Sequence, residues 1–183
     1  YLAQTMNHVK WDGLYHHDTI FPLFLFIAGI SFPFSYAKQT ASGLSRGNMH
    51  VKVIKRTLIL IALGVVYNGF FKMDFATLRI CSVLGRIGMA WGLAALLYMN
   101  FNTKVRAYIS AAILLGYWLV LCYIPAPDAN GAAALSLEGN MVGYIDRLVT
   151  PGRLLSKGIF DPEGLFSTLP AVVTAMLGMF TGE

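Results

Sequence analysis

Long apolar runs without charged residues dominate the pattern of hydrophobic and polar positions in this chain of 183 residues. The first run, Thr19–Ala37, has 19 uncharged residues, enough to cross a hydrocarbon core of roughly 30 Å as a helix. Four further runs follow: Thr57–Phe71, Ile80–Thr103, Ala107–Pro127 and Gly164–Gly182, of which Ile80–Thr103 is interrupted by Arg86 alone. The pattern predicts an all-α, polytopic transmembrane helix bundle with about five spans, forming a single domain over residues 1–183.

The positions of Lys and Arg predict which connections face the cytoplasm. The first connection carries Lys38, Arg46, Lys52, Lys55 and Arg56, the second Lys72 and Arg79, and the third Lys104 and Arg106. Because cytoplasmic loops are enriched in Lys and Arg, the first and third connections are predicted to be cytoplasmic. Residues 1–18 and the long stretch 128–163 then lie on the outer side, and Pro125–Ala134 reads as an irregular loop.

Composition agrees with a lipid environment. Hydrophobic residues make up 56% of the chain and charged residues 13%, whereas soluble domains have about a quarter charged residues. The net charge of +5 lies between the apolar runs and accompanies no nucleic-acid motif, so the bilayer is the expected partner and nucleic acid is not. Cys81 and Cys122 lack CxxC or metal-ligand spacing, which predicts free structural thiols.

The two ends of the chain suggest a larger protein. The chain begins at Tyr1 without an initiator Met, and no basic segment precedes an apolar one, so no signal peptide is predicted. It ends at Glu183 directly after an apolar run. We therefore expect a fragment of a longer membrane protein.

Polar residues cluster just ahead of the first span. His8 stands three residues before Trp11, and His16, His17 and Asp18 follow. A His titrates near neutral pH and can act as a general base or a nucleophile, although an outer loop with an interfacial Trp anchor explains the same pattern. A zinc site is not predicted, because adjacent histidines point apart on a regular element and no HExxH spacing is present.

Carboxylates precede both the first and the last span. Asp18 suits the N-cap of the first helix, and it could also orient His8 or pair with an arginine. Asp161, Pro162 and Glu163 read as the N-cap, first position and first turn of the last helix. The same carboxylates could instead be catalytic or bind a substrate amine.

Arg79 and Arg86 are seven residues apart, which predicts that they share one face of the third span. Arg86 would lie roughly 10 Å deeper than Arg79. A guanidinium at that depth should face the bundle interior and bind Asp18 or an anionic ligand, with a purely structural ion pair as the alternative.

Three separated blocks carry a resemblance to a known family. The first is His8-Val-Lys-Trp11-Asp-Gly13, followed by Asp18-Thr-Ile-Phe21-Pro22. The second comprises Leu78-Arg79-Ile80 and Val83-Leu-Gly85-Arg86-Ile-Gly88, and the third is Phe160-Asp161-Pro162-Glu163-Gly164-Leu165. In this order they resemble the heparan-α-glucosaminide N-acetyltransferase family and its bacterial relatives.

The resemblance implies a membrane enzyme that takes an acetyl group from acetyl-CoA on the cytoplasmic side and gives it to an amino sugar across the membrane. The family's active-site His lies on the non-cytoplasmic side, which matches the outer position predicted for His8. For a bacterial protein this implies the inner membrane with His8 on the periplasmic side. Family members have about twice as many spans, so the helix before the His8 loop and the C-terminal half lie outside this chain.

The resemblance also implies roles for individual residues. His8 would be the base of direct transfer or the nucleophile of an acetyl-imidazole intermediate, and Asp18 would orient it. Substrate-binding roles fall to Trp11, Arg79, Arg86, Asp161 and Glu163, and phosphate-binding roles toward acetyl-CoA to Lys55 and Arg56. Two rivals stay open, a sugar or anion transporter and a structural membrane subunit without a ligand. The acceptor and a homo-oligomeric state also stay open.

Overall fold

A computed structural model describes residues 11, 13–69, 79–150, 154 and 159–183. It contains six α-helices in this part of the chain: α1 (Ile20–Ala41), α2 (Arg46–Tyr67), α3 (Val83–Asn100), α4 (Thr103–Tyr123), α5 (Met141–Val149) and α6 (Thr168–Gly182). A 3-10 turn, His16–Thr19, leads into α1. These ranges contain no β-strand, and the predicted all-α class is confirmed.

Three helical stretches are long and apolar enough to cross a membrane, judged by length and composition: His16–Ala41, α3 and α4. Helix α6 is apolar but has 15 residues. Helix α2 has 22 residues and carries Lys52, Lys55 and Arg56 in its first half. The described chain is therefore that of an integral membrane protein with three candidate spans, and the predicted number of about five is not confirmed.

The predicted start of the second span is wrong by eleven residues, because α2 begins at Arg46 rather than at Thr57. The cause is local, since the Ser45 side chain accepts a hydrogen bond from the Asn48 N–H at 3.3 Å and caps the helix. Lys52, Lys55 and Arg56, which were assigned to a loop, are consequently helical. The outer stretch 128–163 also contains a short helix, α5.

Neither predicted aspartate cap forms. The N-cap of α1 is Thr19, and Asp18 instead accepts the Tyr15 N–H at 2.9 Å, which closes the 3-10 turn. Helix α6 begins at Thr168 with Ser167 at its N-cap, so Asp161 lies six residues before the cap position. A tertiary ion pair, described below, occupies the Asp161 carboxylate.

The helices alternate in direction. The first turns of α1, α3 and α6 meet at one end of the bundle, and α2 and α4 return from the other end. Helices α1 and α6 approach closely where Gly29 faces Ala175 and Gly178, as small residues permit between membrane helices. The core consists of apolar side chains from α1, α2, α3 and α6, including Leu25, Val53, Ala90, Ala94, Ala175 and Met176.

Gly29→Leu should lower the free energy of unfolding by about 3 kcal/mol, because its Cβ would overlap the carbonyl oxygen of Ala175. Gly116→Leu is the matched control, since a Cβ at Gly116 meets open space. Denaturant unfolding in detergent measures both variants. An equal loss in the two would contradict the close contact between α1 and α6.

Candidate functional site

A cleft of about 420 Å³ opens at the end where α1, α3 and α6 begin. We call it the Arg86 cleft. The 3-10 turn contributes His17 and Asp18, α3 contributes Arg86, and the loop before α6 contributes Glu163. Its remaining lining comes from Phe21, Pro22, Val83, Pro162, Pro170, Ala171 and Thr174. Residues from each of the three blocks thus line a single cleft.

Arg79 holds the loop that supplies Glu163. Its Nε donates to Asp161 Oδ2 at 2.7 Å and its Nη2 to Asp161 Oδ1 at 2.5 Å, and the same guanidinium also binds the Glu163 carboxylate. Asp161 is fully buried. Its burial opposes ionisation, but Arg79 outweighs that effect and lowers the pKa of Asp161. For Glu163 burial prevails and raises the pKa.

The prediction that Arg79 and Arg86 share a helix face is wrong. Ser82 caps α3 by accepting the Gly85 N–H at 2.9 Å, so Arg79 precedes the helix. Arg86 lies in the first turn of α3, where its Nη1 donates to the carbonyl of Pro162 at 2.5 Å and its Nη2 to that of Ser167 at 2.9 Å. Both arginines nevertheless bind the segment between α5 and α6.

Arg86 also differs from its predicted pairing. In the described residues its hydrogen bonds go to backbone carbonyls, and its guanidinium lies 4.9 Å from the ring centre of Phe21. The Nε–H is buried and has no hydrogen-bond partner there. Arg86 therefore keeps one donor at the cleft that a bound ligand could use.

A second cavity, of about 260 Å³, lies between α1, α2 and α3. We call it the Arg56 cavity. The Arg56 guanidinium stands 4.4 Å from the ring centre of Trp91, and Lys52 Nζ donates to Gln39 Oε1 at 3.1 Å. Lys55, predicted with Arg56, lines a different groove on the outer face of α2. Lys52 was missed, although its spacing of four residues from Arg56 marks a shared helix face.

Comparison with known proteins gives two relevant matches. No family model matches the chain. Heparan-alpha-glucosaminide N-acetyltransferase of Homo sapiens is 25% identical over 224 residues, and that of Mus musculus is 26% identical over 224 residues. Each alignment covers 97% of this chain and 34% of the relative. The chain is a family-level relative of these N-acetyltransferases. It spans about a third of their length.

His8, the predicted catalytic residue, lies outside the described residues. Its predicted catalytic role stays a prediction. The nearby Trp11 donates its Nε1–H to the Leu135 carbonyl at 2.8 Å and packs edge-on against Phe160, with ring centres 5.2 Å apart. Trp11 thus joins the segment after His8 to the loops between α4 and α6.

The Arg86 cleft and the Arg56 cavity lie one behind the other along α1. Pro22 lines the Arg86 cleft and Ala28 lines the Arg56 cavity, a separation of about 9 Å along a helix. Leu25, which is fully buried, occupies the interval. Packed core side chains therefore separate the cleft from the cavity along this face of α1.

Cys81 is not suited to act as a competing nucleophile. Cys81 and Cys122 are free, as predicted. Burial raises the pKa of the Cys81 thiol to about 11. Since the thiolate is the nucleophilic form, Cys81 is unreactive near neutral pH.

Proposed function

We propose that this chain is the part of a transmembrane N-acetyltransferase that moves an acetyl group from acetyl-CoA across the bilayer to an amino sugar. The convergence of Asp18, Arg86 and Glu163 in one cleft carries the proposal. The relationship to N-acetyltransferases supports the reaction class. The proposed location is the bacterial inner membrane, with His8 and the Arg86 cleft on the periplasmic side.

The Arg86 cleft suits an amino-sugar acceptor. Asp18 and Glu163 supply carboxylates for an ammonium group and sugar hydroxyls, and the Arg86 Nε–H supplies a donor. Asp18 lies ten residues after His8, and in the proposed site it orients the imidazole. Trp11 and Asp161 then act indirectly. Their described hydrogen bonds hold loops together, and neither residue lines the cleft.

Two mechanisms fit His8. In direct transfer the acceptor amine attacks the thioester carbonyl, the C–S bond breaks and CoA leaves as the thiolate, while His8 takes up the amine proton and then passes it to the thiolate. In the alternative, the His8 imidazole forms a bond to the acetyl carbon and releases CoA, and the amine then attacks the acetyl-imidazole. Both give the N-acetyl sugar, free CoA and an unchanged histidine.

The Arg56 cavity suits the nucleotide end of acetyl-CoA. Lys52 and Arg56 offer positive charge for phosphates, and Trp91 and Tyr36 offer aromatic faces for a flat base. The predicted pair Lys55 and Arg56 is thereby revised, with Lys52 in the place of Lys55. The position of the Arg56 cavity behind the Arg86 cleft would let the acetyl end of acetyl-CoA point toward the acceptor.

Arg56→Gln should raise the KM for acetyl-CoA about tenfold, the equivalent of about 1.4 kcal/mol, because a charged phosphate partner is lost. Lys55→Gln is the matched control, since Lys55 lies outside the cavity. Initial rates at varied acetyl-CoA concentration measure both variants. An equal change in KM would contradict the assignment of the cavity.

Purified full-length protein in detergent tests the reaction class with labelled acetyl-CoA and a panel of amino sugars. We expect labelled N-acetyl sugar, and none when the amine is already acetylated. The transporter alternative also fits two cavities placed end to end. Uptake of free sugar or anion into proteoliposomes without acetyl-CoA, together with no acetyl transfer, would favour the transporter.

A further inference from the structure

Asp146, on α5, is a fully buried carboxyl group next to the loop that supplies Glu163. Its Oδ1 accepts the Phe166 N–H at 3.2 Å. Its Oδ2 is buried and lacks a close hydrogen-bond partner among the described residues. No Lys or Arg in the described ranges forms an ion pair with it, and its neighbour Arg147 binds Asp128 instead.

The Asp146 carboxyl also fills space behind this loop. A Cβ added at Gly164 would overlap both carboxyl oxygens of Asp146. Gly164 follows Glu163 directly, and Phe166 lies two residues further on. Asp146 therefore contacts the loop on both sides of Leu165, and Arg79 and Arg86 hold the same loop through their own hydrogen bonds.

Among the described residues, the charges around Asp146 balance without it. Arg79 and Arg86 supply two positive charges, and Asp161 and Glu163 supply two negative charges. The other titratable neighbours, Cys81 and Tyr117, are neutral near pH 7. An ionised Asp146 would add an unpaired buried charge, and such a group takes up a proton instead. Burial accordingly raises the pKa of Asp146.

We propose that Asp146 is held as a neutral carboxylic acid behind the loop 161–166 and is a positioning residue for Glu163 in the Arg86 cleft. The neutral state rests on burial and missing partners alone. The positioning role rests on the proposed function of the cleft. The two parts are tested by separate measurements.

The neutral state is tested by thermal unfolding of the full-length protein in detergent between pH 4 and 9. An unfolded Asp has a pKa of about 3.9. Because the folded pKa is higher, the wild type loses stability as pH rises from that value through the folded pKa. Asp146→Asn mimics the neutral acid and escapes this loss. The Tm of Asp146→Asn should therefore increase relative to that of the wild type as pH rises. The Tm difference should become constant above the folded pKa.

Asp128→Asn is the control, because Asp128 is about half exposed in its ion pair. Its Tm difference from the wild type should stay nearly constant above pH 5. A constant difference for Asp146→Asn over the same range would overturn the proposal. So would a variant that is far less stable than the wild type at every pH, because the fold would then require the ionised form.

The positioning role is tested by the pH profile of acetyl transfer. Asp146→Asn should keep wild-type kcat at the acidic end of the profile, where Asp146 is protonated, and hold it to higher pH than the wild type does. Asp146→Leu, which cannot accept the Phe166 N–H, should lose at least tenfold in kcat across the whole profile. Identical wild-type and Asn profiles would overturn the positioning role. If the wild type transfers no acetyl group, the proposed function fails while the unfolding result still decides the state of Asp146.

Discussion

Asp161→Asn should lower the free energy of unfolding by about 3 kcal/mol, the scale expected when one partner of a buried ion pair is neutralised. Asp161 is fully buried and accepts two hydrogen bonds from Arg79, whose side chain is 19% exposed. Glu163 also binds Arg79 and moderates the loss. Unfolding of the full-length protein by a denaturing detergent measures the change.

Asp128→Asn again provides the control for the loss of a carboxylate. Asp128 also makes two hydrogen bonds to an arginine, Arg147, but its side chain is 49% exposed. Exposed pairs contribute about 1 kcal/mol or less. Equal losses in Asp128→Asn and Asp161→Asn would mean that burial does not strengthen the Arg79 contact, and the loop before α6 would need another anchor.

His8→Ala should lower kcat for acetyl transfer by about 10²- to 10⁴-fold, the usual contribution of a general acid or base. The loss would be at least as large for a nucleophile. Thermal stability should change little, since the variant removes a reactive group. Rates with labelled acetyl-CoA, measured beside a Tm for each sample, separate catalysis from folding.

His50→Ala is a suitable histidine control because His50 lies at the end of the bundle opposite the Arg86 cleft. There His50 Nδ1 lies 2.7 Å from the Arg46 carbonyl oxygen, and its Nε2 is close to the Asn100 side chain. This variant should keep wild-type kcat. Retained turnover in His8→Ala would remove His8 from the mechanism and direct the search to His16 and His17.

The helices could be predicted from the sequence because membrane spans need uninterrupted apolar runs. Their ends were harder. The second span was started too late because Lys52, Lys55 and Arg56 suggested a loop, whereas the Ser45 cap sets the start of α2. Basic side chains can reach away from the apolar face while the backbone stays helical.

The acidic loop before α6 shows why a local sequence signal can mislead. Asp161, Pro162 and Glu163 have the composition of a helix start, but Asp161 binds Arg79, 82 positions away in the sequence. A capping pattern and a tertiary anchor require the same residue types. Sequence alone could not distinguish them, because the decisive contact depends on how α3 and α6 pack.

The site was predicted in part. Asp18, Arg86 and Glu163 were selected from separated blocks, and they do line one cleft. Lys52 and Asp146 were missed for different reasons. Lys52 needed the correct start of α2, whereas Asp146 lies on α5, a helix of 9 residues that no long apolar run marks in the sequence.

Sealed vesicles containing the full-length protein offer the most direct test of transfer across the membrane. Labelled acetyl-CoA is supplied on the side of the Arg56 cavity and glucosamine on the side of the Arg86 cleft, with protein orientation determined by protease accessibility. The proposed function predicts labelled N-acetylglucosamine on the glucosamine side and none in vesicles of His8→Ala. Product formed solely when donor and acceptor share one side would contradict a transmembrane transfer.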